Sequence, residues 1–343
     1  MTTKLSGNAG GNLTGALLGL GSFGIYATHD ALVKLLGGHY APAQLIFFSV
    51  LFSFPLAMLS LMRDPEPGTL RPKHPWWMAL RTAASVACGL SAFYAFSVLP
   101  MAQVYAIVFA QPLLITLLAI PVLGERVRIR RGLAVGVGLL GVLIVLRPGS
   151  TELTLGHAAA LLAAVGGATA SIVVRRIGQD ERPVVLLVYP MAANLLLMGL
   201  ALPWVYRPME AEHMGLVAVL SALGWVGGLV IIMAYKAGEA VIVAPMQYSQ
   251  IVWAALFGAW LFGEAIDGAT AAGAGVVIAS GLYIVLREGR ASSARPVLNT
   301  RGRPDTGTAP RPSTLLRLAG LAPRPKGPTA GRAAGPAVGV PAE

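Results

Sequence analysis

The chain reads as a succession of long apolar runs parted by short polar hinges. A helix needs about 20 mostly apolar residues to cross a bilayer. Runs of that kind fall near 13–36, 43–62, 76–98, 101–122, 132–147, 156–174, 184–206, 214–236, 241–262 and 269–287. The pattern predicts an all-α integral membrane protein with ten transmembrane helices. The first run follows a short, weakly charged N-terminus, lacks a small-residue cleavage site and outlasts a signal-peptide core, so it is expected to stay as a helix. Beyond about residue 290 the pattern stops, and nine prolines stand among Ser, Thr, Gly and Arg, so a disordered tail is expected there.

The apolar text is written twice. Residues 93–149 match residues 232–289: Gly124-Glu125 falls on Gly263-Glu264, Gln111 on Gln250, and IVLRPG at 144–149 on IVLREG at 284–289. Secondary transporters are often built from such duplicated units, with the substrate path between the copies. Five runs per copy is an odd number, which turns the second copy upside down relative to the first. The expected organisation is a short cytoplasmic N-terminus (1–12), a first repeat (13–147), a second repeat (156–287) and a basic cytoplasmic tail (290–343), the two five-helix repeats inverted with the substrate path between them.

Charge agrees with that threading. The N-terminus and the loops after runs 2, 4, 6 and 8 hold Lys4, Arg63, Arg71, Lys73, Arg126, Arg128, Arg130, Arg131, Arg175, Arg176, Arg182 and Lys236. The opposite loops and run edges hold Lys34, Arg147 and Arg207. The excess of Lys and Arg marks the cytoplasmic side and places both termini there, in a multi-pass membrane protein. Glu125 is followed by four arginines and Glu264 by Asp267, the opposite contexts that inverted copies predict.

Composition excludes several function classes. The chain is 55% hydrophobic and 12% charged, against about 25% charged in soluble domains. Its net charge of +11 lies beside apolar runs and in the tail, which suits membrane lipid rather than nucleic acid as the partner. Cys88 is the one cysteine, and the five histidines lack metal-ligand spacing, so no disulfide, metal or other cofactor is expected. Neither GxxxxGK[ST] nor HExxH occurs, and no long soluble loop could house an enzyme site. The GxGxxG patterns at 19–24 and 136–141 lie inside apolar runs, where glycines let helices approach closely.

An ionisable group inside a span costs about 2.5–3.5 kcal/mol on insertion scales and invites a functional reading. Asp30, with His29 as a titrating neighbour, is the candidate for binding a proton or a cationic group, and so for coupling. The alternative is an i,i+4 pair between Asp30 and Lys34 at the outer interface. Gln247 and Gln250, beside Pro245 and Trp253, and Gln111, beside Pro112, are candidates for holding the polar edge of a substrate from both copies; interhelical hydrogen bonding is the alternative. Tyr26, Tyr94, Tyr105, Trp225, Tyr248 and Trp253 offer flat walls for a planar substrate or plain packing surface. Glu125 and Glu264 read as structural turn residues.

The run from Leu80 to Ser150, with FYAFSVLPMAQ, Pro112, LGER and a glycine-rich helix ending LRPG, resembles the EamA domain of the drug/metabolite transporter superfamily. The second copy keeps the order with GEA at 263–265 and LREG at 286–289, and the likeness spans roughly residues 12–289. It implies ten helices in two inverted repeats around a cavity and transport of a small polar metabolite, such as a vitamin, amino acid, nucleoside or drug. Uptake by alternating access is the leading expectation, proton-coupled or by exchange. Export on the same fold, or a channel or scaffold, are the alternatives, and a homodimer is compatible with the likeness. DALVKLL at 30–36 is similar to a branch with riboflavin and S-adenosylmethionine carriers. Many relatives carry an arginine in the second helix where this chain has Phe48-Ser49, so no inference rests on that arginine here.

Overall fold

A computed structural model describes residues 6–62, 69–125, 129–149, 152–178 and 180–291. The expected tail falls almost wholly outside the described residues. The helices are α1 (Ser6–Gly37), α2 (Pro42–Met62), α3 (Pro75–Val98), α4 (Met101–Val108), α5 (Gln111–Leu123), α6 (Ile129–Leu146), α7 (Leu155–Ile177), α8 (Pro183–Val205), α9 (Ala211–Ala237), α10 (Ala240–Val243), α11 (Ser249–Phe262) and α12 (Gly268–Ala291). A 3₁₀ turn over Ala244–Tyr248 joins α10 to α11. No strand element occurs among the described residues.

Seven segments among the described residues are long and apolar enough to cross a membrane: α3, the α4–α5 pair, α6, α7, α8, α9 and α12. Three of the ten expected runs fall short of that measure for visible reasons. α1 carries His29, Asp30 and Lys34; the described apolar part of α2 is the shorter stretch Pro42–Pro55; and the ninth run is cut into α10, the 3₁₀ turn and α11.

Local chemistry sets the ends. Proline opens α2, α3 and α8, where its missing N–H would have had no partner. Gly124 and Gly263 close α5 and α11 with φ of 70° and 64°, the left-handed conformation that glycine adopts without strain. In both turns the following glutamate amide returns to the helix, Glu125 N–H to Ala119 at 3.2 Å and Glu264 N–H to Gly258 at 2.8 Å. Asp267 caps α12, accepting the amides of Ala269 and Thr270 at 2.9 Å each. It also pairs with Arg147 beyond the end of α6.

Packing runs mainly between the halves. α1 packs on α9 and α3 on α7; α2 faces α8, and α6 faces α12; α5 lies on α7, and α11 on α1. Exchanging the first five runs for the last five returns the same set of partners. Small residues make the crossings close. At Gly141 an added Cβ would stand 2.9 Å from the Gly273 carbonyl, and at Gly166 2.8 Å from that of Ala84. With no water to expel between helices in lipid, such backbone approach and van der Waals packing carry the association.

Candidate functional site

The fourth and ninth runs break at matching places. α4 ends at Phe109-Ala110 and α5 resumes at Gln111 with Pro112; the 3₁₀ turn ends at Tyr248 and α11 resumes at Ser249-Gln250. Proline within the new first turn of α5, and Pro245 in the 3₁₀ turn, withhold hydrogen bonds that would continue the helices. Each break carries its glutamine into the interior: Gln111 is buried and Gln250 is wholly inaccessible.

A polar cluster stands beside the second break. Asp30 is 6% exposed and His29 1%. The His29 ring places Nδ1 2.7 Å from Asp30 Oδ1, and the Tyr105 hydroxyl donates to Asp30 Oδ2 at 2.5 Å. The Gln250 amide donates to the Tyr105 oxygen over 3.5 Å. Gln250 Oε1 has no hydrogen-bond partner among the described residues. A buried acceptor left so costs about 1–3 kcal/mol. α1, α4 and α11 thus bring a carboxylate and an unfilled amide oxygen to one place.

Aromatic rings surround the cluster. Phe93 meets the His29 ring edge-on at 6.2 Å; Phe96 and Phe109 flank Tyr105 at 5.2 and 5.7 Å, and Tyr248 meets Phe109 at 5.3 Å. They exclude water, which strengthens each electrostatic contact inside. A groove of about 450 Å³ lies elsewhere, between α6 and α12, lined by Arg130, Leu133, Val137, Val276, Ser280 and Tyr283 among others.

The other candidate residues take different places. Gln111 lies 3.5 Å from the Ser171 hydroxyl, its amide filling the room left by Gly167. Gln247 is buried in the 3₁₀ turn. Tyr26 packs against Gly227 with Phe23 and Ile231, in the α1–α9 contact. Trp253 lies on Gly24 and stacks on Phe257 at 6.2 Å. Tyr94 is half-buried on α3, and Trp225, half-buried on α9, holds a ring N–H without a partner among the described residues.

Two contacts differ from what spacing suggests. Lys34 does not form its close ion pair with Asp30 one turn back; it pairs with Glu264 at 2.7 Å and donates to the Leu99 carbonyl at 2.6 Å. Glu125 pairs with Arg175 at 2.5 Å, with Arg131 4.0 Å away. Tyr105, read from the sequence only as a wall, supplies the hydroxyl on Asp30; its 75-residue separation left no local signal.

The family and its relatives agree with this architecture. A sequence model of the EamA-like transporter family matches residues 13–147 and again 154–286. The chain is 24% identical over 271 residues to an S-adenosylmethionine uptake transporter of Rickettsia prowazekii, covering 78% of this chain and 90% of that protein. It is 28% identical over 246 residues to a riboflavin transporter of Rhizobium johnstonii, covering 71% and 79%. A pseudopaline exporter of Pseudomonas aeruginosa is 26% identical over 270 residues, covering 77% and 93%. A solved crystal structure superposes with a TM-score of 0.53 at 19% identity, over 83% of this chain and all of that one, a likeness of fold. With both halves matched and transporters among its relatives, the chain belongs to the EamA-like transporter family and is a small-metabolite transporter, not an enzyme.

Proposed function

We propose that the chain carries a small metabolite bearing a cationic or N–H-rich group by alternating access between two inverted halves of five spans each. Both termini lie in the cytoplasm and the spans cross the bacterial inner membrane. The observation that supports this substrate class is the pair of buried acceptors, the Asp30 carboxylate and the unpartnered Gln250 Oε1. The unfilled amide oxygen calls for a donor, and the negative charge of the nearby carboxylate favours a cationic one. The aromatic rings around Tyr105 keep the site apolar, which strengthens the attraction between a cation and the carboxylate. S-adenosylmethionine, named for several relatives, carries both an ammonium and a sulfonium and suits such a site.

Coupling follows from the same carboxylate. Asp30 is the group that exchanges a proton during the cycle, with His29 and Tyr105 in hydrogen-bond reach of its two oxygens. The discontinuous fourth and ninth runs supply the moving parts, as in other transporters with broken helices at the binding site. Gln111 is the first half's counterpart of Gln250, and Gln247, Tyr26, Tyr94, Trp225 and Trp253 line the path on either side of the closed cluster.

A thermal-shift screen with methionine derivatives, vitamins, amino acids and nucleosides identifies the ligand, and counterflow in proteoliposomes tests carriage. A carrier gives saturable exchange; unsaturated flux indicates a channel and no flux a scaffold. Asp30→Asn is expected to abolish pH-driven uptake while exchange persists at raised KM. Unchanged pH dependence in that variant rejects Asp30 as the coupling group. Export is the second reading, since an exporter stands among the relatives; accumulation in inside-out rather than right-side-out vesicles would favour it.

A further inference from the structure

The two glutamates that end α5 and α11 do more than close a turn. Each reaches across to the first helix of the other half. Glu264 of the second half takes Lys34 of α1, and Glu125 of the first half takes Arg175 of α7. The two cations fall at the same place, 21 residues into their matched segments. We propose that these crossed ion pairs are the two gates of the transporter, one latch at each end of the bundle, and that both are shut in the conformation described here. This rests on the alternating-access reading above.

The Glu264 latch is built over the Asp30 cluster. Lys34 sits one helical turn beyond Asp30 on α1. Glu264 Oε2 also accepts the Met101 amide at 2.9 Å, one turn before Tyr105 on α4. Glu264 itself follows α11, whose first turn carries Gln250. The three elements that build the cluster are therefore the three that this latch ties together. The Lys34 ammonium also stands 5.3 Å over the Phe262 ring. Gly258 is what lets the carboxylate lie back over the helix end, since a Cβ there would come 2.9 Å from Glu264 Oε2.

The Glu125 latch repeats the plan at the other end. Arg175 lies one turn beyond Ser171, the residue that Gln111 approaches, and Arg131 of α6 joins from the side. The two latches differ in strength of enclosure. Lys34 and Glu264 side chains are 11% and 18% exposed, Arg175 and Glu125 26% and 32%. Water screens an exposed pair more. The Glu125 latch is accordingly the one that opens more readily, and Arg126, Arg128, Arg130 and Arg131 in the adjoining sequence assign it to the cytoplasmic face.

Hydrogen–deuterium exchange of the full chain in lipid nanodiscs tests this. In Lys34→Ala, exchange should rise several-fold over 30–37 and 101–108 and fall over 119–123 and 172–177. Arg175→Ala should give the mirror image. Lys34→Arg and Arg175→Lys should behave as wild type, which separates gating from misfolding. A latch that merely caps a helix would loosen its own end alone. Local loosening only, or both ends loosening together, overturns the proposal. Wild-type counterflow is scored separately: its absence would remove the carrier reading while leaving the exchange result interpretable.

Discussion

Tyr105 and Gln250 make opposite predictions although they touch. The Tyr105 hydroxyl serves a buried carboxylate, so Tyr105→Phe leaves Asp30 Oδ2 without that donor; a loss of about 1–3 kcal/mol is expected, seen as a lower Tm of the purified protein. Gln250→Leu removes an amide whose oxygen is unfilled among the described residues. Its substrate-free Tm should hold or rise while substrate affinity falls. A large fall in Tm for Gln250→Leu would show the amide to be a structural tie. The sequence flags Asp30, His29 and Gln250 because polar groups inside apolar runs stand out. It cannot flag what they meet. Lys34 is four residues from Asp30, the spacing of a helix pair, yet its close partner comes from a turn that only the assembled bundle delivers.

At the scale of elements, broken helices and close crossings carry the site. Pro112 and Pro245 mark the fourth and ninth runs as irregular, but the breaks at Phe109-Ala110 and Tyr248-Ser249, and the 3₁₀ turn, depend on which neighbours satisfy the freed backbone. α12 shows how tightly the second break is held. Gly281 lies directly against the Tyr248 hydroxyl, leaving no room for a Cβ. Gly281→Ala should destabilise by about 1–3 kcal/mol through overpacking, and Tyr248→Phe should recover part of the loss in the double variant. Additive losses in thermal unfolding would place the clash elsewhere. Glycine at Gly141 and Gly273 serves the α6–α12 crossing in the same manner, which accounts for the glycine-rich ends of both copies.

At the scale of the molecule, the helices of one half lean mainly on those of the other, and the main pairings across the halves survive their exchange. Duplication is readable because Gly-Glu and the IVLR segments recur in the same order, with one residue inserted between them in the second copy. The direction of the second copy rests on an odd count of runs and on charge, so it is the link on which gates and carriage depend. Impermeant maleimide labelling in intact cells measures it directly. In a Cys88→Ala background, a single cysteine at Val127, after the first Gly-Glu turn, and another at Ala265, after the second, report the faces of the two turns. Two oppositely threaded halves predict that Ala265→Cys labels from outside and Val127→Cys only after permeabilisation. Both positions labelling from the same side would contradict the account.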